Sequence, residues 1–342
     1  LALYPFLLEP IYKEKVWGGR ALERFGRALP GGADTGIGES WELADLDATA
    51  PSGGGGEPAH TRIRNGPLRE RTLREVVRDF GGRVTGRIRL SPDWAFPLLL
   101  KYLDARENVS VQVHPSPAYA AEHPEAHLKS EAWYVVHAEP GARIFKGLRD
   151  GTTPEAFAEA IAEGRVEELM VGVPARAGDC HYLPSGTCHA LGAGVLVAEV
   201  QTPSDTTFRV FDWGRTGREL HVAQALECIE FGPLDAGRFE PGTESAEDDA
   251  TVRHLVSCEH FDVHHWDLDR AGAHTFASRS CAVLMVVRGA GTLRWGEADH
   301  TMAVRAGDTV LVPAALARVE LSSPEGLETL EITVPEAPQE DR

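Results

Sequence analysis

The chain has 342 residues, enough at ~150 residues per domain for about two domains and for a core that needs no disulfide staples. Hydrophobic residues make up 42% and charged residues 25%, as in ordinary globular proteins, and the formal net charge is −18. That charge argues against nucleic acid or an anionic membrane surface as partner, since both demand a basic face, and an anionic substrate would need a locally positive pocket. The five cysteines (Cys180, Cys188, Cys228, Cys258 and Cys281) are odd in number and form no C-x-x-C pair. They read as free thiols in a reducing cytoplasm, neither a disulfide framework nor a thiolate zinc site. Leu1 to Pro10 is apolar but short, without a basic start and with Pro5 inside it, so it does not read as a secretory signal. No apolar run approaches the ~18 residues of a membrane-spanning helix.

In chain order, the loop Gly53–Gly56 is followed by no phosphate-loop lysine and is not a nucleotide site. A helix is predicted over about 66–80, where Leu68–Asp79 has helical spacing behind Gly66-Pro67. Short strands bounded by turn residues follow at Phe96–Asp104, Val109–His114 and Ala132–Val136. Pro154–Met170, rich in Ala and Glu with apolar residues every third or fourth place, predicts a second helix over 154–170. Strands resume at Gly194–Gln201 and Thr206–Trp213. Gly232–Asp249, rich in Gly, Pro, Asp and Glu, reads as an exposed linker. A new strand series then runs through Ala282–Val287, Gly291–Trp295, Thr309–Val312 and Leu330–Val334. These elements place one domain in 1–240 and a second in 241–342.

The halves share a weak repeat, G-D-x-x-x-x-P-x-[G/A]-x-x-[H/R], at Gly178–His189 and Gly307–Arg318. Both copies sit at the same point of a strand-turn-strand pattern and read as duplicated domains. Where the first copy ends in His189 the second ends in Arg318, which is permanently cationic and no metal ligand, so the second domain is expected to be metal-free and structural.

The sharpest local feature is Val109–Pro115, VSVQVHP. In a strand, alternate residues share a face, which puts Ser110, Gln112 and His114 together opposite Val109, Val111 and Val113. A strand whose polar face meets solvent would explain this equally well. If the polar face is interior, each group buried without a partner costs ~1–3 kcal/mol, which a metal or ligand would relieve. Two further features favour the interior. G-x5-P-x-G-x-x-H at Gly178–His189 matches the second cupin motif, although the asparagine usual four residues after the histidine is Ala193 here. Glu131 opens the strand EAWYVVHAEPG, which resembles the end of the first cupin motif. Gln112, His114, Glu131 and His189 together offer an amide oxygen, two imidazoles and a carboxylate, a set that suits Zn²⁺, with Fe²⁺, Mn²⁺ or Co²⁺ as rivals. The remaining histidines, among them His181 and His300, lack a partner at ligand spacing and read as surface or capping residues.

With FPLLLKYLDARENVSVQVHP, LKSEAWYVV, PSGTCHALGAGVLVAEVQTPSDTTFRVFDWGR and the early KEKVWGGR and GESWEL, the chain resembles the type I mannose-6-phosphate isomerases in their short bacterial form over roughly residues 10 to 221. The resemblance implies a mainly β protein of two cupin (jelly-roll) β-barrels, with one zinc per chain in the first at Gln112, His114, Glu131 and His189. It implies a cytoplasmic enzyme of carbohydrate metabolism that interconverts mannose 6-phosphate and fructose 6-phosphate through a cis-enediol. It places Arg209 in the active site, matches Lys129 to the lysine two residues before the glutamate ligand, sets Lys101 and Ser110 near the substrate phosphate, and lines the sugar pocket with Trp17 and Glu39. On general grounds a lysine beside Zn²⁺ and an arginine would have a lowered pKa, so Lys129 is expected as acid/base, with a metal-bound water or a carboxylate as competitor for the base, Arg209 stabilising the enediolate and Arg20 helping with phosphate. The sequence departs from the family in Lys129-Ser130-Glu131 and in GESWELADL, which lacks the usual Ser-x-His. Two other functions compete: a metal-dependent cupin oxygenase, which the glutamine ligand and basic neighbours fit less well, and a non-enzymatic sugar-binding cupin, against which Lys129 and Arg209 speak. The partner in each case is a small molecule, and no interface that would fix an oligomeric state can be read.

Overall fold

The computed structural model describes every residue except 50–54, 92, 124, 233–243, 248–249, 278 and 337–342. The fold is mainly β. In the first half, two antiparallel sheets face one another. One orders Cys180–Leu183, Glu131–Ala138, Val195–Gln201, Leu99–Ala105, Ile11–Gly19 and Ile37–Leu43; the other orders Met170–Pro174, Arg143–Leu148, His189–Leu191, Val111–Val113 and Phe208–Phe211. Among the described strands, pairing does not pass from one sheet to the other, so the half consists of two facing sheets with no closed hydrogen-bonded barrel, the double-sheet form of a jelly roll. The second half builds a ten-stranded sheet, which also takes in the N-terminal strand Phe6–Leu7 through pairing of Phe6 with Leu311.

The six-stranded sheet is buried on both faces, and the period of two decides what each face carries. Ala132, Tyr134, Leu196, Ala198, Leu100 and Tyr102 pack with Val263, Val283, Met285 and Leu330 of the second half. Trp133, Val135, Leu103, Val195 and Val197 face the five-stranded sheet and meet Ile144 and Leu191. The outer face of the five-stranded sheet (Val111, Val113, Phe145, Ala190) lies under helices through Phe157, Val166 and Ala225. Val109, expected on that outer face, joins the inner cluster, because the strand proper begins only at Val111.

The predicted helices exist with shifted limits. The first spans Leu73–Phe80, starting later than expected because Thr72 forms a capping box with Glu75 and so fixes the first turn. The second runs Pro154–Glu163 and stops at left-handed Gly164 before a separate turn at Val166–Leu169. Helices at Pro117–Glu122 and Val222–Cys228 gave too short a pattern to be read. The two strands expected at 282–287 and 291–295 are one, Ala282–Trp295. Within the expected linker, Glu244–Glu247 pairs with Ala250–Ser257; residues 233–243 and 248–249, and with them the boundary near 240, lie outside the described residues. The duplicated motif has matching structure: Gly178 and Gly307 take φ of 91° and 88°, and four-residue strands follow at Cys180–Leu183 and Thr309–Val312. Arg318, however, is exposed.

Replacing Thr72 by Ala removes the acceptor of the Glu75 amide and should cost ~1 kcal/mol, read as a lowered midpoint of urea unfolding, with turnover per folded molecule unchanged.

Candidate active site

The cleft between the two sheets is lined by Lys15, Trp17, Glu39, Trp41, Lys101, Leu103, Val109, Ser110, Gln112, Lys129, Glu199, Asp205, Thr207, Arg209 and Arg218. Behind Gln112 and Lys129 of this lining is a buried trio. His114 comes from the end of strand Val111–Val113, His189 opens the neighbouring strand, and Glu131 opens a strand of the opposite sheet. Register places His189 directly across from Gln112. Glu131 Oε2 lies 3.4 Å from His114 Nε2, and Oε1 lies 3.1 Å from His189 Nε2. The potential ligand atoms of the three lie within 4.8 Å of one another. Gln112 Nε2 is 3.3 Å from His189 Nε2, which brings the fourth expected ligand to the same point.

This arrangement fits a divalent cation on its own chemistry. His114 Nε2 and Glu131 Oε1 are buried without a hydrogen-bond partner, a cost of ~1–3 kcal/mol each that a cation would remove, and Glu131 Oε2 faces the Lys129 ammonium at 2.7 Å. Each imidazole turns its other nitrogen to a backbone carbonyl, His114 Nδ1 to Thr206 O at 3.0 Å and His189 Nδ1 to Thr187 O at 2.8 Å. That fixes the tautomer with both Nε2 lone pairs facing Glu131. Burial and then Lys129 push His114 down to about 3, so the imidazole stays neutral. Burial would raise Glu131, but Lys129 and the two imidazoles outweigh it and hold the carboxyl well below its usual range.

Above the trio lies a buried ladder of alternating charge. Lys129 Nζ is 2.7 Å from Glu131 Oε2 and 3.8 Å from Glu199 Oε1. Lys101 lies 3.5 Å from Glu199 and 3.9 Å from Glu39, and Lys15 is 3.1 Å from Glu39. Trp133 Nε1 donates to Glu199 at 3.1 Å, and Trp41 Nε1 donates to Glu39 at 2.6 Å. Burial, followed by the charge of Glu131, raises Glu199. Burial lowers Lys129, but Glu131 and Glu199 overcome burial and the net shift from the protein's own charges is upward, whereas the lowering expected from sequence presupposes bound Zn²⁺. Two carboxylates flank the ammonium, and the sequence had disclosed only one of them.

Arg209 crosses the mouth of the cleft. Its Nε donates to Ser110 Oγ at 3.3 Å and Nη1 to Glu219 O at 2.8 Å. Asp212 nearby is occupied by Arg215 at 2.8 Å and by Arg218. Trp17, Glu39, Lys101, Ser110 and Lys129 all line the cleft as expected. Arg20 does not. Its guanidinium is held outside by Glu23 at 2.6 Å and by the carbonyls of Gly32 and Thr35, so a phosphate-binding role for it has no geometric basis. His181, expected at the surface, is buried beside Lys146 at 3.3 Å. Sequence reasoning missed Lys15, Trp41, Glu199 and Arg218. A signal existed for Glu199, a lone carboxylate inside the wholly buried strand Val195–Gln201.

A buried imidazole–carboxylate trio beneath a mixed-charge cleft, in a β-sandwich, defines a candidate metal-dependent catalytic centre. Residues 6–141 match the family model described as phosphomannose isomerase type I, catalytic domain, and residues 251–327 match the one described as mannose-6-phosphate isomerase, cupin domain. The chain is 33% identical over 326 residues to mannose-6-phosphate isomerase ManA of Bacillus subtilis, covering 93% of this chain and 95% of that protein. It is 33% identical over 321 residues to mannose-6-phosphate isomerase of Streptococcus mutans, covering 90% and 92%. The crystal structure of the Bacillus subtilis mannose 6-phosphate isomerase superposes with a TM-score of 0.82 at 32% identity, over 96% of this chain and 98% of that one. This chain belongs to the mannose-6-phosphate isomerase family.

Glu39 gives the site a measurable acid dependence. Burial alone would raise it, but Lys15, Lys101 and the Trp41 N–H overcome burial and hold it at about 2, against an ordinary 4.5. A depressed carboxyl stabilises the fold in full above its unfolded pKa and loses that contribution as pH falls toward the folded one, here up to ~3 kcal/mol between about pH 4.5 and 2. Glu39→Gln should therefore be less stable at neutral pH and show a flatter loss of urea-unfolding stability on acidification than the parent.

Proposed function

We propose that this protein interconverts mannose 6-phosphate and fructose 6-phosphate at the cleft between the two sheets, with one zinc held by Gln112, His114, Glu131 and His189. The observation that carries the reading is the buried trio, in which His114 Nε2 and Glu131 Oε1 have no hydrogen-bond partner, set beside a ladder of charged groups. When bound, the metal supplies Lewis-acid polarisation of the sugar's C1–C2 oxygens.

The chain's own residues supply the proton chemistry. Isomerisation moves a proton from C2 to C1 and a second from O2 to O1, so a base and an acid must face the same edge of the open-chain sugar. Glu199, raised by burial and by Glu131, is the base: it takes the C2 proton and returns it to C1. Lys129, kept protonated by its two carboxylates, is the acid: it donates to O1 and is restored from O2. Arg209, with Lys101, offsets the charge of the enediolate and of the phosphate. Ser110 orients Arg209 and shares the phosphate end. Trp17 and Trp41 wall the sugar and exclude water. The free space in the cleft is about 60 Å³, room for only a few waters, so the sugar phosphate enters as the long cationic side chains at the rim swing aside.

The two-cupin architecture, with a catalytic first half and a degenerate second half meeting near residue 240, belongs to the same reading, as does a cytoplasmic setting suited to its five free cysteines. Residues 251–327 match a cupin-domain model, and the second half's interior is filled by Trp266, Phe276, Leu284 and Leu321.

The direct test supplies mannose 6-phosphate and measures fructose 6-phosphate. Chelation should abolish turnover and added Zn²⁺ restore it; His114→Ala and His189→Ala should lose metal and activity together. If either variant retains stoichiometric zinc, the assigned ligand set is wrong. Glu199→Gln should keep metal yet lose roughly 10²–10⁴-fold in kcat, together with the exchange of the C2 proton with solvent. Arg209→Met should keep metal and lower kcat, and normal turnover by it would remove the arginine from the mechanism.

A further inference from the structure

On the opposite face of the six-stranded sheet, a cavity of about 670 Å³ opens between the two halves, within the size range of small-molecule sites. Phe25, Tyr134 and Val136 of the first half and Val287 of the second give it apolar walls. Tyr134 is held in place by stacking on His265, with centroids 5.2 Å apart and planes at 20°. Its polar groups are mainly cationic. Arg253 reaches in from the second half and donates through Nη2 to Gly178 O at 2.6 Å, while its Nε is buried with no hydrogen-bond partner. Arg24 lies 3.3 Å from His137 Nδ1. Arg288 is 2.5 Å from Glu328, and Glu328 is 3.1 Å from His265.

Glu328 is the one carboxylate among the described lining residues, and it is already paired. Three guanidinium groups therefore line one seam of a chain whose formal net charge is −18, with one carboxylate among them. Self-association or simple solubility gives no reason to gather them there. A buried, partnerless guanidinium N–H costs free energy unless an acceptor arrives, and arginine's planar donor fork matches phosphate and carboxylate oxygens.

We infer that the cleft between the halves is a second ligand site, which takes a small organic anion with its charged head at Arg253, Arg24 and Arg288 and its apolar body against Phe25, Val136 and Val287. The inference stands on this cavity alone and is independent of the reaction proposed for the first site.

The test is calorimetric titration of the full chain with 1-naphthyl phosphate, with 1-naphthol and inorganic phosphate as separate arms. Since the first cleft also carries cations, the titration is repeated on Arg253→Met and on Arg209→Met. The expected result is a 1-naphthyl phosphate binding event retained in Arg209→Met and weakened roughly ten- to hundredfold in Arg253→Met. The double variant Arg24→Met/Arg288→Met, altered only at exposed positions, should weaken the same event and keeps the test valid if Arg253→Met does not fold. Both single components should bind more weakly than the joined probe. The inference is overturned if no arm gives heat, leaving a water-filled seam; if the event disappears in Arg209→Met and survives in Arg253→Met; or if neutral 1-naphthol binds as tightly as its phosphate.

Discussion

The structure depends on keeping charge inside a sheet. Strands Glu131–Ala138, Val195–Gln201 and Leu99–Ala105 are neighbours in the six-stranded sheet, and each turns one ionisable residue, Glu131, Glu199 or Lys101, onto its inner face. A buried carboxylate stripped of its partner costs ~3–5 kcal/mol, so none of these groups could be held there singly. They are tolerated because register brings them side by side: Glu199 pairs with Lys101 across one strand boundary and with Trp133 across the next. The indole N–H of Trp133 and the ammonium of Lys101 then satisfy the same carboxylate from its two flanks.

The network divides its carboxylates into different roles by environment alone. Glu131, beside Lys129 and two imidazoles, stays ionised and is fit to hold a cation. Glu199 is raised by burial and by the neighbouring Glu131 and is fit to exchange a proton. Lys129 lies between them and is kept charged by both. A single lysine thus bridges the two carboxylates, and their charges outweigh the burial that would lower it.

The second half acts through the back of the same sheet. Tyr134, Leu196 and Tyr102 lock the sheet against Val263, Val283 and Leu330, and the N-terminal strand Phe6–Leu7 crosses into the partner sheet. Arg27 reinforces the junction: it forms an ion pair with Glu42 at 2.8 Å, and Glu42 also accepts from Thr309 Oγ1 at 3.1 Å. A sheet clamped from behind presents Glu131 and Glu199 on a rigid backbone, and the precision of a catalytic or metal-binding constellation depends on such support.

The amino-acid sequence by itself determined the mainly β class of the fold, the trio with Gln112 beside it, and most of the cleft, because these are written in local terms: the alternation of VSVQVHP, the glycine and proline spacing before His189, and the carboxylate that opens EAWYVV. Only the tertiary structure decided the rest. That 282–295 is one strand and that Glu199 faces Lys101 and Lys129 follow from contacts between residues far apart in the chain, whereas the Thr72–Glu75 cap and the Arg20–Glu23 pair are local contacts that the periodic pattern does not show. The sign of the Lys129 shift belongs with the distant contacts. A local pattern states which side chains share a face, but the free energy of a buried charge is set by what stands within a few ångströms of it, and that is fixed only when the sheets close on one another.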